Sequence, residues 1–371
     1  MNRADREFLE SLPPVKLVLA YGSGVFPQLA LDRLVTQHTR DYIVIVDNPI
    51  EWLLQAVERH PDHFPWWLRS LRRPELVAWL QRFGAGMFFI PPMPLATPAA
   101  GSIKYGVIAE EVLLEDVKQW LYFYAAGRLQ KPVEAVLLSN MNQAEAQACA
   151  LRVHQANRTH NLLQAMRLSV LLCAGADMGP RMVPVLTLLE RIVGLSYTSD
   201  IRMHSGLENP NKVRNILRAN TDRFLGMYAA ALTQLQHDGL FERIDVRPVA
   251  ASSTESLQWR ADDLLDLSAL FRSDVHGQRR RYHLLAPLLQ LPLFKGIQHE
   301  SELRRLPYSY PQVAKRFQGP VVVEFFAEAL GALLRRRVLR SSVSQAVKGL
   351  ITAGPTRSLQ YLWGKWRRRW N

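Results

Sequence analysis

The sequence is poor in cysteine and contains no long uninterrupted apolar run. Its 371 residues include two cysteines, Cys149 and Cys173, and neither has a Cys or His partner at metal-ligand spacing. This argues against a disulfide scaffold and favours a reducing compartment. No run of about 18 apolar residues occurs, so no membrane-spanning helix is expected. The first residues carry acids and no apolar core, so neither a signal peptide nor a transit peptide is expected.

Acidic residues are absent from residue 329 to residue 371, although the whole chain has a formal net charge of +13. An excess of this sign predicts an anionic partner: a nucleic acid, a membrane surface or a polyphosphate. The basic residues of this acid-free region are Arg335, Arg336, Arg337, Arg340, Lys348, Arg357, Lys365, Arg367, Arg368 and Arg369.

The last part of that region has an apolar face, because Trp363, Trp366 and Trp370 recur at helical spacing. Lys365, Arg367, Arg368 and Arg369 flank this face. A Trp-rich basic amphipathic helix suits the interface of an anionic bilayer, so a protein that lies on a membrane is predicted. Two alternatives remain: an arginine run that binds nucleic acid, for which no recognition motif is visible, and a helix that packs on the protein itself.

A glycine-rich turn follows the first apolar run. Residues 15–20 predict a buried strand, Tyr21-Gly22-Ser23-Gly24 comes next, and residues 28–37 predict a helix. Glycines beside Ser23 let backbone N–H groups approach a ligand, and a helix N-terminus there would favour a phosphate. The same spacing also fits a plain tight turn.

Two later runs place charges in apolar strands. Residues 41–46 predict a strand that begins with Asp41, which is either a solvated strand end or a metal ligand. Residues 84–102 are rich in proline and predict a loop. The strand predicted at 103–108 carries Lys104, which either snorkels to solvent or faces a triphosphate. A helix is predicted at 111–126, with a stop at 127–128.

The middle of the chain is predicted to be mostly helical, from residue 141 to residue 195 with a break at 175–180 and again at 217–235. Between these helices lies a turn-rich polar stretch at 196–213, which looks more like a site than a core. It contains Asp200, Asn211 and Lys212, and Asp200 fits an N-cap, a partner of Arg202 or a functional acid. Residues 249–258 predict a linker.

Seven blocks, in order along almost the whole chain, resemble the mitochondrial translocator assembly and maintenance proteins, which are peripheral CDP-diacylglycerol synthases with bacterial relatives. The blocks are Ala20-Tyr21-Gly22-Ser23-Gly24-Val25-Phe26, the Asp41 strand with Val46-Asp47, Ile103-Lys104-Tyr105-Gly106-Val107, Ala126-Gly127-Arg128-Leu129 with Lys131-Pro132-Val133, Ser199-Asp200-Ile201-Arg202-Met203, Glu208-Asn209-Pro210-Asn211-Lys212-Val213, and Gln345-Ala346-Val347-Lys348-Gly349-Leu350-Ile351-Thr352-Ala353-Gly354.

The resemblance implies an α+β protein in three parts. These are a nucleotidyltransferase-fold core at 1–140, a helical winged-helix-like region at 141–250 that contributes Asp200, and a basic amphipathic membrane-associating region at 251–371. It implies transfer from CTP to phosphatidic acid, giving CDP-diacylglycerol and pyrophosphate with Mg²⁺. Nucleotidyl transfer to RNA or protein, or a degenerate membrane scaffold, are the alternatives.

The same resemblance implies roles for particular residues. Asp41 and Asp200 would hold the metal or activate the attacking phosphate, and Lys104 would neutralise phosphate charge. The triphosphate or the lipid headgroup would contact Tyr21, Gly22, Ser23, Arg128, Lys131, Asn211 and Lys212. No nucleic acid partner is expected.

Four positions depart from the family pattern: Leu53, Ala56, Gln130 and Ser199. Histidine, asparagine, histidine and glycine, respectively, are usual there, so base recognition or lipid preference is expected to differ. A second acid two residues from Asp41 is also missing, which makes Asp200 more necessary. Because no transit peptide is visible, the expected location is the cytoplasmic face of a bacterial inner membrane, with the matrix side of the mitochondrial inner membrane as the alternative.

Overall fold

A computed structural model describes residues 1–26, 39–71, 73–95, 97, 100–176, 182–204, 209–244, 258–294 and 321–353. The strands are β1 (Leu17–Tyr21), β2 (Thr39–Val46), β3 (Phe88–Pro94), β4 (Ser102–Ala109), β5 (Val133–Val136), β6 (Met182–Pro184), β7 (Glu242–Ile244) and β8 (Leu264–Asp266). The helices are α1 (Arg3–Ser11), α2 (Pro49–Arg59), α3 (Trp66–Leu71), α4 (Pro74–Arg82), α5 (Glu110–Gln119), α6 (Ala126–Leu129), α7 (Gln143–Ala156), α8 (Leu163–Ala174), α9 (Val185–Leu195), α10 (Ile201–His204), α11 (Lys212–Ala219), α12 (Thr221–His237), α13 (Val275–Leu289) and α14 (Val321–Ala353).

The N-terminal part is built on a mixed five-stranded sheet with the order β3-β4-β2-β1-β5. β2 and β4 are parallel, while the other pairs are antiparallel. The three central strands are almost wholly apolar because helices cover both faces: α2 and α4 lie over one face, and α5 and α7 over the other. This confirms the α+β class and the three strands predicted from the apolar runs.

Two expectations in this part were wrong. Residues 84–102 are not simply a loop, because β3 forms there as an edge strand whose register shifts between Ile90 and Met93, at the Pro91-Pro92 pair. Edge strands and bulges are where a sheet tolerates proline. The predicted helix at 111–126 stops at Trp120, which has a left-handed φ of 54°. The Asp116 side chain then binds the backbone of the following residues, which keeps them out of the helix.

A second core gathers the helices α8, α9, α12 and α13 around a three-stranded sheet of order β6-β8-β7. The predicted helical character of 141–195 is confirmed for the described residues, apart from β6. The strand β8 pairs with both β6 and β7, so residues on both sides of position 250 share one sheet.

The 33-residue helix α14 links the two cores. Its first half packs into the second core through residues such as Phe326, and Ile351 near its end packs against the first. Lys348 is buried, and its Nζ donates to the carbonyl oxygens of Gln81 and Phe83 at 3.2 and 3.1 Å. Part of the acid-free region is therefore internal and binds the end of α4. Of the helices in the described ranges, none has the length and hydropathy needed to cross a membrane.

Candidate active site

Three predicted residues form a row across the sheet. In the strand register Tyr21 lies opposite Asp41, and Asp41 lies opposite Lys104. Directly paired residues point to the same face, so their side chains are neighbours. The Lys104 Nζ is 3.8 Å from the Asp41 Oδ1, and each side chain is about a quarter exposed. Burial, followed by the charge of Asp41, raises the pKa of Tyr21 above its usual value.

The glycine turn closes over the end of this row. Gly22 has a φ of 81°, which favours glycine, and a Cβ placed there would lie 3.1 Å from the Asp41 Oδ2. Gly24 lies against β2 so closely that a Cβ would be 2.3 Å from the Thr39 carbonyl oxygen. Both glycines are therefore required by the turn itself, and this turn brings Ser23 to the neighbourhood of Asp41. The predicted helix at 28–37 lies outside the described residues.

Arg128 is held over the same face. Its guanidinium stacks on the Tyr124 ring at 3.7 Å, and its Nη1 donates to the Tyr124 carbonyl oxygen at 2.7 Å. The rings of Tyr21 and Phe89 are 5.8 and 5.7 Å from it. The Lys104 Nζ is 4.9 Å from the Phe89 ring. Both cations thus lie near the Phe89 ring, and Lys104 also lies beside the Asp41 carboxylate.

Lys131 and Lys212 form a second group around Tyr197, with their Nζ atoms 5.2 and 5.7 Å from its ring. Lys131 also donates to the Gly127 carbonyl oxygen and to the Ser196 Oγ. Arg128 lies in α6 and Lys131 follows just after its end. This short stretch of chain connects the group around Tyr197 to the Asp41 row.

Asp200 and Asn211 lie near this second group along the chain. The Asp200 backbone N–H donates to the Tyr197 carbonyl oxygen at 3.2 Å, and the Asp200 side chain is buried. Asn211 precedes the first residue of α11, and its N–H donates to the Asn209 side chain. The predicted membrane residues Trp363, Lys365, Trp366, Arg367, Arg368, Arg369 and Trp370 lie outside the described residues.

Asp41 is the oxygen donor best placed for a metal ion at the row. Mg²⁺ prefers oxygen ligands and is commonly bound by one or two carboxylates together with substrate phosphates. The glycine at position 22 leaves room beside the Asp41 carboxylate, so the residues present fit such an ion. In the described ranges, no group of three or more His, Cys, Asp and Glu ligand atoms includes Asp41 or Asp200.

One such group does occur elsewhere, formed by His60, Asp62 and His63. The two imidazole rings are stacked 4.7 Å apart at 11°. The His60 Nε2 bonds to the Ser11 carbonyl oxygen, and the His63 Nδ1 to the Tyr105 hydroxyl. A metal binds in the ring plane about 2.1 Å from the nitrogen. Two nearly parallel stacked rings do not aim at one ion, so this cluster is interpreted as packing.

Sequence reasoning missed two contributors to the site. Tyr124 was assigned to a helix and Asp116 was not considered, although Asp116 organises the backbone that carries Tyr124. The available signal was the aromatic density of residues 120–124, which is unusual for an exposed helix end.

The departures from the family pattern prove to be mostly internal. Leu53 and Ala56 are buried in the core beneath α2, and Gln130 is buried with its Nε2 on the Asn161 side chain. They line the protein interior and give no support to altered base recognition. Ser199 has a φ of 79°, a left-handed conformation that explains why glycine is usual there.

Comparison with known proteins finds relatives over almost the whole chain. A sequence profile of the family described as "Phosphatidate cytidylyltransferase, mitochondrial" matches residues 6–368. A Xenopus laevis protein of that name is 28% identical over 358 residues, covering 96% of this chain and 91% of its own. A Drosophila melanogaster protein of the same name is 29% identical over 365 residues, covering 95% and 94%. A Saccharomyces cerevisiae protein, also so named, is 34% identical over 223 residues, covering 58% and 51%.

The resemblance seen in the ordered sequence blocks is thereby confirmed over nearly the whole chain. All three relatives are named mitochondrial, so they give no support to the expected bacterial inner membrane. The charged row, the glycine turn and the full-length match lead to one assignment: the chain belongs to the family of mitochondrial phosphatidate cytidylyltransferases.

Proposed function

We propose that this protein transfers a cytidylyl group from CTP to phosphatidic acid, with CDP-diacylglycerol and pyrophosphate as products. The observation that carries the proposal is the family match over residues 6–368. The row of Tyr21, Asp41 and Lys104 beneath the glycine turn supports it. An acceptor phosphate must approach a triphosphate there, and both partners are anionic.

We assign the five-stranded sheet to a nucleotidyltransferase fold, with its core at 1–140. The three-stranded sheet and its helices are assigned to the winged-helix-like region. Since β8 completes that sheet, we extend this region from the predicted 141–250 to include β8 and α13. The proposed membrane-associating part is then confined to the end of the predicted 251–371 region, after α14.

Charge neutralisation is the main task of the site. Lys104 and Arg128 both lie near the Phe89 ring and would bind the triphosphate oxygens. The Gly22-Ser23 turn would place backbone N–H groups and the Ser23 hydroxyl against the same phosphates, with Tyr21 at their edge. Such preorganised donors stabilise the charge that develops on oxygens in the transition state.

Asp41 would hold the magnesium ion, with Asp200 as the second acid. When bound, the ion neutralises phosphate charge and polarises the phosphorus that is attacked. Lys131, Asn211 and Lys212, with the Tyr197 ring, would orient CTP or the lipid headgroup. The acceptor phosphate is largely ionised near neutral pH because its second pKa is about 6. Positioning therefore contributes more than a strong general base.

The direct test incubates the purified chain with CTP, Mg²⁺ and vesicles that contain phosphatidic acid. CDP-diacylglycerol and pyrophosphate in equal amounts are the expected products. Transfer to RNA or protein but not to lipid would replace the proposal with the alternative acceptor. No product with any nucleotide would identify a catalytically inactive scaffold.

Peripheral attachment to an anionic membrane is the second part of the proposal. It rests on the Trp and basic residues at 363–370 and on the acid-free sequence that leads to them. The relatives are named mitochondrial, so of the two locations expected from the sequence we propose the mitochondrial one, on the matrix side of the inner membrane. Deleting residues 355–371 should weaken flotation with anionic vesicles, and the lost part should be salt-sensitive because its origin is electrostatic. Unchanged flotation at moderate salt would place the attachment elsewhere.

A further inference from the structure

One buried carboxylate binds the backbone of the segment between α5 and α6. Asp116 is 1% exposed. Its Oδ1 accepts the N–H groups of Tyr122 and Phe123, both at 2.7 Å. Its Oδ2 accepts those of Tyr124, Ala125 and Ala126 at 2.9, 2.8 and 3.1 Å. Five consecutive backbone donors therefore converge on a single side chain.

The backbone of this segment needs such support. Trp120 and Phe123 have φ angles of 54° and 53°. The left-handed conformation costs a non-glycine residue about 1–2 kcal/mol. It persists only where surrounding contacts hold it. Asp116 supplies those contacts at the centre of the segment.

The carbonyl groups of the same segment are bound from the other side. The Arg337 Nη1 and the Ser341 Oγ, both on α14, donate to the carbonyl oxygens of Leu121 and Tyr122 at 2.6 Å each. The Asn161 Nδ2 donates to the Ala126 carbonyl oxygen at 3.0 Å. The segment is thus fixed by its donors and by its acceptors.

This segment holds Arg128, in the following helix α6, in place at the site. Tyr124 contributes both the ring under the guanidinium, at 3.7 Å, and the carbonyl oxygen that accepts from the Nη1. A displacement of Tyr124 would move the guanidinium relative to Tyr21, whose ring lies 5.8 Å away. The place of this cation beside Tyr21 and Phe89 therefore depends on the backbone of residues 122–126.

We propose that Asp116 is a positioning residue for CTP: by gathering five backbone N–H groups it fixes Tyr124, and through Tyr124 it holds the Arg128 guanidinium where the triphosphate binds. The inference rests on the proposed function of the site. Asp116 itself touches no reacting group.

The isosteric variant Asp116→Asn is the sharpest probe. An amide has one acceptor oxygen, and its NH₂ group would face backbone N–H groups that it cannot accept from. Burial raises the pKa of the Asp116 carboxyl, and the N–H groups of Ala126, Tyr122, Phe123 and Tyr124 oppose that rise. The variant leaves the volume unchanged while it removes one of the two acceptor oxygens.

A double-mutant cycle with Arg128→Ala separates positioning from general damage. Asp116→Asn should raise KM for CTP about tenfold, the equivalent of about 1.4 kcal/mol. In the Arg128→Ala background it should add less than about twofold, because the group it positions is gone. Full multiplication of the two effects, or an unchanged KM in the single variant, would overturn the proposal.

Asp263, directly before β8 of the three-stranded sheet, offers a matched control. It is also buried, its Oδ2 accepts the Arg260 N–H at 2.8 Å, and it pairs with Arg243 at 2.7 Å. Asp263→Asn should lower thermal stability and leave KM for CTP unchanged. An equal rise in KM would mean that any buried carboxylate loss has this effect, which contradicts a positioning role.

Two further measurements keep the test decisive. If Asp116→Asn does not fold, Ser341→Ala is the substitute, because it releases only the Tyr122 carbonyl from the same segment. It should raise KM for CTP about threefold in the wild-type background and leave KM unchanged in the Arg128→Ala background. If the wild-type protein makes no CDP-diacylglycerol, the proposed function fails. Amide exchange at 122–126 in Asp116→Asn then still reports on the segment, and unchanged exchange would overturn the anchoring role.

Discussion

Arg40 and Asp41 are neighbours on β2, yet they lie on opposite faces of the sheet and in different kinds of environment. Arg40 is paired with Asp5 at 2.6 Å, and Asp5 also accepts the Tyr42 hydroxyl at 2.8 Å. Asp5 is fully buried. Asp41 instead faces Lys104 at 3.8 Å, with both side chains about a quarter exposed.

The difference separates a charge pair that supports the fold from one that is proposed to bind substrate. A buried pair needs additional hydrogen bonds to offset desolvation, and here the Tyr42 hydroxyl donates to Asp5 while the Arg40 Nη2 donates to the Ala100 carbonyl oxygen. On the Asp41 face, Lys104 lies farther from the carboxylate, beside a turn shaped by glycine. Such an open arrangement suits a ligand that brings charge of its own.

Asp41→Asn should have the largest effect, because it removes the proposed metal ligand without changing side-chain volume. We expect turnover to fall about 1000-fold in the phosphatidic acid assay, a size typical for the loss of one main electrostatic contact. Thermal unfolding should stay close to that of the wild type. Near-full activity would remove Asp41 from the site, and Asp200→Asn tests the second acid in the same way.

Asp5→Asn should have the opposite effects: a loss of stability and little change in turnover. It leaves Arg40 without its buried counter-charge, which costs about 3 kcal/mol in the free energy of unfolding measured with urea. Turnover per folded molecule should remain. The double variant Asp5→Asn with Arg40→Gln should lose less free energy of unfolding than the sum of the two single variants, because both changes disrupt the same ion pair. Loss of turnover as great as in Asp41→Asn would show that the two faces are not independent.

Lys104→Met keeps the aliphatic stem and removes the cation that faces Asp41. We expect kcat/KM for CTP to fall about 30-fold, because the triphosphate loses one preorganised positive charge. Lys16→Met is the control: Lys16 also lies near the sheet, but it pairs with Glu110 and Glu145. An equal loss in that variant would show that the effect is nonspecific.

Lys348→Met tests a buried charge on the structural side of the comparison, and its effect should be the smallest. Burial lowers the pKa of Lys348 to about 7. Between that value and its ordinary pKa of about 10.4, the unfolded chain binds the proton more tightly. Raising the pH through this window therefore stabilises the folded protein, by at most about 1.4 kcal/mol per pH unit.

The measurement for Lys348 is urea unfolding at about pH 6.5, 7.5 and 8.5, which bracket its pKa of about 7. Wild-type stability should rise relative to Lys348→Met as the pH increases. A parallel pH dependence of the two proteins would mean that the buried amine does not titrate in this window.

Local pattern was sufficient for the central strands and for the residues they carry. The apolar runs around Leu19, Ile43 and Val107 form strands because they are buried on both faces, as their composition predicts. Gly22, Asp41 and Lys104 were identifiable for the same reason, since a charge or a glycine pair stands out against an apolar run. Local pattern failed at β3, where an edge position outweighs the loop propensity of proline, and at the end of α5, where the Asp116 carboxylate outweighs helix propensity.

The sequence by itself determined the three central strands, the positive charge and, through the order of its blocks, the family. Only the tertiary structure decided that Tyr21, Asp41 and Lys104 form one row, because strand register is set by pairing between distant segments. It also decided that Arg337, Ser341 and Lys348 of an acid-free region bind the backbone after α5 and at the end of α4. A hydrogen bond from such a side chain to a buried backbone carbonyl contributes to stability, but it joins residues far apart in the chain, so the local sequence does not predict it.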